Sequence, residues 1–147
     1  MNDHKYTGSC HCGNIALKIK LSDELNLYTS RTCDCNFCLK HGASYISDKN
    51  GELAISVAQK SRLSKYKQGD CLADFLICQI CGVLVGACYK YRGRLYATVN
   101  SRTLALNTEL KQYKMVSPQK LSNIEKNQRW QDVWFSNVSF GSSKFSP

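Results

Sequence analysis

A mainly β fold is what the sequence predicts, and three features of the chain indicate it. Over Asn14–Leu21 every second residue is a large apolar one, which is the period of a half-buried strand. Shorter segments with a similar alternation follow as far as Asn100. Clusters of Gly, Asn, Asp and Ser separate these segments, as turns between strands do.

Five further segments carry the shorter patterns, so we predict about six strands in all. After Thr108 the pattern weakens. Ser117 and Pro118 are typical of a helix start, but the apolar spacing beyond them leaves the type of element open. The last residues, Gly141–Pro147, are predicted to be a loose tail. The five further strand segments are Ala43–Ser47, Leu53–Ala58, Leu72–Ile77, Val83–Tyr91 and Leu95–Asn100.

Chain length and composition favour a single domain over residues 1–147. The 147 residues are 43% hydrophobic, which is enough for one core, and the sequence shows no internal repeat or proline-rich linker. The polar start, Met1–Gly8, and the lack of an apolar run of about 18 residues indicate neither a secretory signal nor a membrane span. We therefore expect a cytoplasmic protein, with the nucleus as the alternative compartment.

The formal net charge is strongly positive, at +9, and it stays positive after thiolates and divalent metal ions are counted. Such a charge attracts an anionic small molecule, a nucleic acid or an acidic protein alike, because net charge steers association without selecting the ligand. Charge alone therefore leaves the partner open.

Seven of the nine cysteines fall into three close clusters, and this pattern predicts metal binding. In a reducing compartment, closely spaced thiols more often bind metal or do chemistry than form disulfides. Gly13 and Gly82 each follow a cysteine directly, and glycine allows both a tight turn and the approach of backbone amides to sulfur. The clusters are Cys10 and Cys12, then Cys33, Cys35 and Cys38, then Cys78 and Cys81.

These clusters divide into a set of four and a set of three. A closed structural zinc site takes four ligands, which the two pairs supply together as a four-cysteine group. The cysteine triplet, Cys33, Cys35 and Cys38, matches a catalytic site, where the fourth position stays open for water or substrate. We therefore expect two ions, one structural and one catalytic. Zinc is favoured over iron because paired thiolates followed by glycine are typical of zinc sites.

Four nearby residues leave alternatives open. His11 lies between two predicted ligands, and we expect it to support the site rather than bind the ion. His41, Cys71 or Cys88 would close the triplet if one of them supplied a fourth ligand, and the site would then be structural. Cys88 lies in an apolar run typical of a core, and Cys71 follows a turn.

The cysteine clusters belong to a longer series of motifs that runs from residue 7 to about 104. The series is Gly8-Ser9-Cys10-His11-Cys12-Gly13, Cys33-x-Cys35-x-x-Cys38 followed by Gly42, the Tyr66 segment, Cys78-x-x-Cys81-Gly82 and Val99-Asn100. Its order and spacing resemble the glutathione-dependent formaldehyde-activating enzyme family. The resemblance implies a β-tent-like zinc-binding fold of small antiparallel sheets, with a structural zinc in the four-cysteine group and a catalytic zinc in the triplet.

A carbon–sulfur lyase type of activity is what the resemblance implies, in which the thiol of glutathione adds to formaldehyde and forms S-hydroxymethylglutathione. Zinc would either lower the pKa of the incoming thiol or polarise the aldehyde oxygen, and both routes stay open. Arg31, Lys40 and Arg62 are candidates for attracting anionic glutathione, by proximity in sequence. The chain departs from the family pattern at Asn36, where Ser is common, and at Leu39, where Arg is common, so we expect altered substrate contacts.

Non-catalytic roles are the alternatives to an enzyme. The β-tent architecture also resembles that of Rab-binding nucleotide-release factors, which would make the chain a zinc-binding interaction module. The segment Tyr89–Tyr96 interleaves tyrosines with basic residues, a mixture that nucleic-acid surfaces also use. We interpret this segment as a hairpin with its turn at Gly93, and we interpret Trp130 and Trp134 as residues that pack the C-terminal segment onto the body.

Overall fold

The computed structural model describes residues 4–68 and 72–141, and the prediction of a mainly β fold is confirmed. Each of the six predicted segments overlaps a strand, and five further strands and two α-helices lie beside them. The elements are β1 His4–Ser9, β2 Ile15–Leu21, β3 Thr29–Cys33, α1 Asn36–His41, β4 Ser44–Ile46, β5 Glu52–Val57, β6 Leu63–Tyr66, β7 Asp74–Cys78, β8 Leu84–Tyr91, β9 Arg94–Asn100, β10 Gln112–Val116, α2 Asn123–Val133 and β11 Val138–Gly141.

The strands form two sheets. The smaller sheet has the order β1-β2-β5-β11, and the larger has the order β10-β3-β4-β9-β8-β7-β6. Most neighbours are antiparallel, but β10 runs parallel to β3 and β11 runs parallel to β5. The expectation of antiparallel sheets is therefore confirmed for most strand pairs. The two parallel pairs involve β10 and β11, because the C-terminal part of the chain returns to each sheet through a long connection rather than a hairpin.

The main core lies between the two sheets. The four large apolar side chains of β2 are buried while the residues between them are partly exposed, as the alternation predicted. They pack with buried side chains of β5 from the same sheet and of β7, β8 and β9 from the other sheet. Strand β2 thus has one face in the core and one face toward solvent.

Helix α2 begins later than the sequence indicated. Ser117 and Pro118 start only a short 3-10 turn, whereas the α-helix is capped by Ser122, whose hydroxyl accepts from the Glu125 N–H while the Glu125 carboxylate accepts from the Ser122 N–H. This reciprocal pair is a capping box. After the helix, the backbone of Phe135 exchanges two hydrogen bonds with Ala97 of β9, which holds α2 against the larger sheet.

The predicted hairpin at Gly93 is present. Strands β8 and β9 pair around a turn at Arg92 and Gly93, both with positive φ. Gly141 was predicted to begin a loose tail, but it is the last residue of β11, where the strand register joins it to β5. Residues 142–147 and Cys71 lie outside the described residues. Within the described ranges, no helix has the length and apolar content that crossing a membrane requires.

Candidate metal sites

The four-cysteine group joins two hairpin turns that are distant in sequence. Cys10 and Cys12 lie in the turn between β1 and β2. Cys78 is the last residue of β7, and Cys81 lies in the turn between β7 and β8. The four sulfur atoms all lie within 4.8 Å of one another. The Cys12 sulfur is 3.7 Å from that of Cys10 and 3.6 Å from that of Cys78.

These distances fit a tetrahedral metal ion. Four sulfurs at the usual Zn–S distance of about 2.3 Å stand about 3.8 Å apart from one another. Two of the sulfurs also accept backbone N–H groups: Ile15 donates to Cys10 and Ile80 donates to Cys78, both at 3.3 Å. Such donors stabilise thiolate charge, so the group has the chemistry of a closed thiolate site.

Glycine makes both turns of the four-cysteine group possible, as the sequence indicated. Gly13 has φ 87° and Gly82 has φ 82°, a region that costs a residue with a side chain about 1 kcal/mol or more. The Gly82 N–H donates to the Cys78 carbonyl at 2.8 Å, and this closes the turn around the sulfurs.

The pKa values of Cys10 and Cys81 are shifted in opposite directions. Burial raises the pKa of Cys10 to about 12, together with its contacts to the other three thiols. Burial also acts to raise the pKa of Cys81, but backbone hydrogen bonds at Cys12 and Val83 and the adjacent thiols outweigh it, and its pKa is lowered to about 6. Without a cation, the group therefore holds protons as well as negative charge, and a bound cation would displace those protons.

The cysteine triplet lies where β3 passes into α1. Cys33 is the last residue of β3, Cys35 caps the helix and Cys38 lies in its first turn. The Cys38 N–H donates to the Cys35 sulfur at 3.4 Å, so helix capping and sulfur stabilisation use the same contact. The three sulfurs lie within 4.8 Å of one another. Sequence reasoning grouped these cysteines but missed the helix, which is only six residues long.

Two polar side chains contact the triplet sulfurs. The Tyr45 hydroxyl lies 3.2 Å from the Cys38 sulfur, and the Gln68 amide donates to the Cys35 sulfur at 3.9 Å. Burial raises the pKa of Tyr45 well above its usual value, so the phenol keeps its proton. A hydrogen bond from the Cys38 thiol lowers the pKa of Cys33 to about 6 against the effect of burial, and the same bond raises the pKa of Cys38.

Of the alternative ligands, His41 and Cys88 do not join the triplet, and Cys71 lies outside the described residues. His41 is exposed, and its ring contacts that of Phe37 in a tilted arrangement, with 4.6 Å between ring centroids. Cys88 is buried in β8, where burial raises its pKa to about 11. His11 is exposed. Across residues 4–68 and 72–141, the triplet gains no fourth histidine, cysteine or carboxylate ligand.

The triplet opens onto a cavity that the four-cysteine group does not line. The cavity has a volume of about 240 Å³ and is lined by all three triplet cysteines and by none of the other four. One wall is apolar and includes Phe75, Trp130 and Trp134. The two indole rings stack with their centroids 4.6 Å apart, and both pack edge-on against Tyr89. The predicted packing role of the tryptophans is confirmed, and they also face the cavity.

Three basic side chains form another part of the cavity wall. Arg31, Lys126 and Arg129 line it. The Arg31 guanidinium donates to the Ser47 hydroxyl at 2.9 Å and to the Thr98 hydroxyl at 3.2 Å. Burial lowers the pKa of Arg31 to about 10, and the nearby positive charge of Arg129 lowers it further.

Only one of the three basic residues proposed from sequence faces the cavity. Arg31 does, while Lys40 and Arg62 are exposed elsewhere. The sequence analysis did not identify Lys126 and Arg129 as lining residues. For Lys126 there was a signal, because Lys126, Trp130 and Trp134 recur at four-residue intervals and such residues lie on one side of a helix.

Fold and sites together define a mainly β protein with two cysteine groups that could each hold a metal ion. No protein-family model matches the chain, and no curated protein matches it. Among solved structures, the chain is similar to the crystal structure of a Rhodobacter sphaeroides protein from a structural genomics programme, with a TM-score of 0.55 and 22% identity. The match covers 74% of this chain and 99% of that one, and at this identity it shows the fold alone.

Proposed function

We propose that this chain is a zinc enzyme of the carbon–sulfur lyase type, acting on small thiol adducts such as that of glutathione with formaldehyde. The observation that carries the proposal is the difference between the two cysteine groups. The triplet offers three sulfurs to a cavity of about 240 Å³, while the four-cysteine group lines no part of it. Three protein ligands at a cavity are typical of catalytic zinc, and four ligands are typical of structural zinc.

The residues present fit zinc at both places. The four-cysteine group would hold a structural ion between the two hairpins, and the triplet would hold a second ion beside the cavity. When bound at the triplet, zinc supplies positive charge that lowers the pKa of a thiol or polarises a carbonyl oxygen.

The protein's own groups fix the triplet in place. The Cys38 N–H and the Gln68 amide both point at the Cys35 sulfur, and the protonated Tyr45 hydroxyl contacts the Cys38 sulfur. Hydrogen bonds of this kind orient ligands and tune their basicity. The apolar wall formed by Phe75 and the two tryptophans offers a contact surface for the carbon atoms of a substrate.

An exchange experiment tests the proposal. Glutathione and formaldehyde form their adduct reversibly, and exchange NMR measures how much zinc-loaded protein accelerates the interconversion. We expect acceleration by the wild-type chain and a rate close to the uncatalysed one for Cys35→Ser. Cys88→Ser is the matched control, because Cys88 is also buried but belongs to neither group, and it should keep the wild-type rate.

Two results would overturn the proposal. One is an exchange rate that is the same for the wild type and Cys35→Ser when both are folded by circular dichroism. The other is wild-type protein that holds two zinc ions and accelerates nothing, with this adduct or with other small thiol adducts. The second result would favour the interaction-module alternative.

A further inference from the structure

Arg31 and Arg129 line the cavity, and no carboxylate of the described residues does. Arg31 and Arg129 are both half-buried, and neither forms an ion pair within residues 4–68 and 72–141. Partly buried charges are usually paired, so an arrangement of this kind is costly for the protein alone.

The surrounding contacts hold Arg31 in place without cancelling its charge. Its two hydrogen-bond partners, Ser47 and Thr98, are neutral hydroxyls. The Ser47 hydroxyl in turn donates to the Val133 carbonyl at the end of α2, at 2.7 Å. Arg31 is thereby connected to the helix that carries Arg129. The positive charge of Arg129 lies close enough to lower the pKa of Arg31.

We propose that Arg31 and Arg129 bind the carboxylate of the substrate, so that the substrate is a small thiol acid with its sulfur at the triplet. Guanidinium groups form paired, charge-assisted hydrogen bonds with carboxylates. The thiol end would reach the triplet in the same cavity, and the apolar wall of Trp130 and Trp134 would contact the carbon chain between the two ends. The placement of the thiol at the triplet rests on the proposed function. The placement of the carboxylate at the two arginines depends only on the residues that line the cavity.

The two tryptophans make the inference directly measurable. The chain has two tryptophans, and both line this cavity, so intrinsic tryptophan fluorescence reports on its occupancy without any turnover. Titrations of the zinc-loaded full chain would use four probes: 3-mercaptopropionate, 2-mercaptoethanol, propionate and inorganic phosphate. These separate the contributions of the thiol, the carboxylate and general anion binding.

We expect 3-mercaptopropionate to bind at least about tenfold more tightly than the uncharged 2-mercaptoethanol, since a hydrogen bond to a charged group is worth about that much. Arg129→Gln should bind 3-mercaptopropionate and 2-mercaptoethanol with equal affinity. Arg129→Lys should keep part of the preference for 3-mercaptopropionate. Arg62→Gln is the control, because Arg62 is exposed outside the cavity, and it should bind like the wild type.

The outcomes separate this inference from the proposed function. Equal binding of the charged and uncharged thiols, or tighter binding of phosphate than of 3-mercaptopropionate, would overturn the carboxylate site even if the exchange reaction is catalysed. Propionate binding that is lost in Arg129→Gln would support the site even if the exchange reaction is not catalysed. If Arg129→Gln does not fold, the Arg129→Lys variant and the salt dependence of 3-mercaptopropionate binding take its place, and affinity that is independent of salt would contradict the proposal.

Discussion

Loss of the four-cysteine group should destabilise the protein more than loss of the triplet, because the two groups close loops of very different length. Cys12 and Cys78 are 66 residues apart in the chain, whereas the triplet lies on the single short segment Cys33–Cys38. A cross-link removes conformational entropy from the unfolded chain, and the amount grows with the length of the closed loop.

The magnitude follows from these loop lengths. A cross-link across a 66-residue separation is worth about 4 kcal/mol, and one across about five residues is worth about 2 kcal/mol. The matched perturbations are Cys10→Ser/Cys12→Ser and Cys35→Ser/Cys38→Ser, each of which replaces two ligands of one ion. Each double variant loses the metal–sulfur bonds of one site, so these losses cancel in the comparison. The difference in the free energy of unfolding between the two variants should therefore be about 2 kcal/mol. For a chain of this size the gap corresponds to about 4–8 °C in Tm.

Urea unfolding followed by circular dichroism measures the gap, with metal content determined on the same samples. Each double variant should hold one ion, and the Cys10/Cys12 variant should unfold at the lower urea concentration. A chelator should bring the wild type and both variants closer together, because all three then lack the cross-links. Equal losses of stability in the two variants, or a greater loss in the triplet variant, would refute the loop-length reasoning.

Three further changes test individual parts of the fold. Ser122→Ala should lower the free energy of unfolding by about 1 kcal/mol, because the hydroxyl in the capping box is lost. Ser61→Ala, at an exposed position, is the control in urea unfolding. An equal loss of stability in both variants would argue against the capping role. Gly82→Ala should cost about 1 kcal/mol through its positive φ alone, since a Cβ there meets no neighbouring atom; an unchanged urea midpoint would show that the turn relaxes. Asp48→Asn should have a lower free energy of unfolding than the wild type at neutral pH, and the difference should shrink as the pH is lowered. Burial acts to raise the pKa of Asp48, but donation from the Tyr28 hydroxyl and from the N–H groups of Ser22 and Asn50 lowers it. The stabilisation is therefore complete above the ordinary carboxyl pKa near 4 and is lost as the pH falls through the lower folded value. A deficit that stays constant from pH 7 to pH 3 in urea titrations would contradict this assignment.

Local patterns predicted the elements that have one face in the core. Strand β2 shows the apolar alternation clearly because its large side chains all point between the sheets. Strands β1 and β10 carry little apolar alternation, and most of their residues are exposed or half-buried, so their pairing with a neighbouring strand decides their structure. Tertiary context of this kind overrides local propensity in edge strands.

The cysteine groups were predictable from spacing, but the cavity was not. Metal-ligand clusters leave a short-range signal, and the turn glycines Gly13 and Gly82 lie beside them. The basic wall instead combines Arg31 from β3 with Arg129 from α2, and that pairing depends on how the helix docks on the larger sheet. Helix α2 gave a weak signal because its buried surface is limited to a few residues such as Trp130.

X-ray absorption at the zinc edge, on protein whose metal content has been measured, tests the central claim most directly. The account predicts two ions per chain, one with four sulfur neighbours and one with three sulfurs and a lighter oxygen or nitrogen neighbour. In the Cys10→Ser/Cys12→Ser variant, the remaining ion should show three sulfurs and the lighter neighbour. Folded protein without bound metal, or four sulfur neighbours at both ions, would contradict the account.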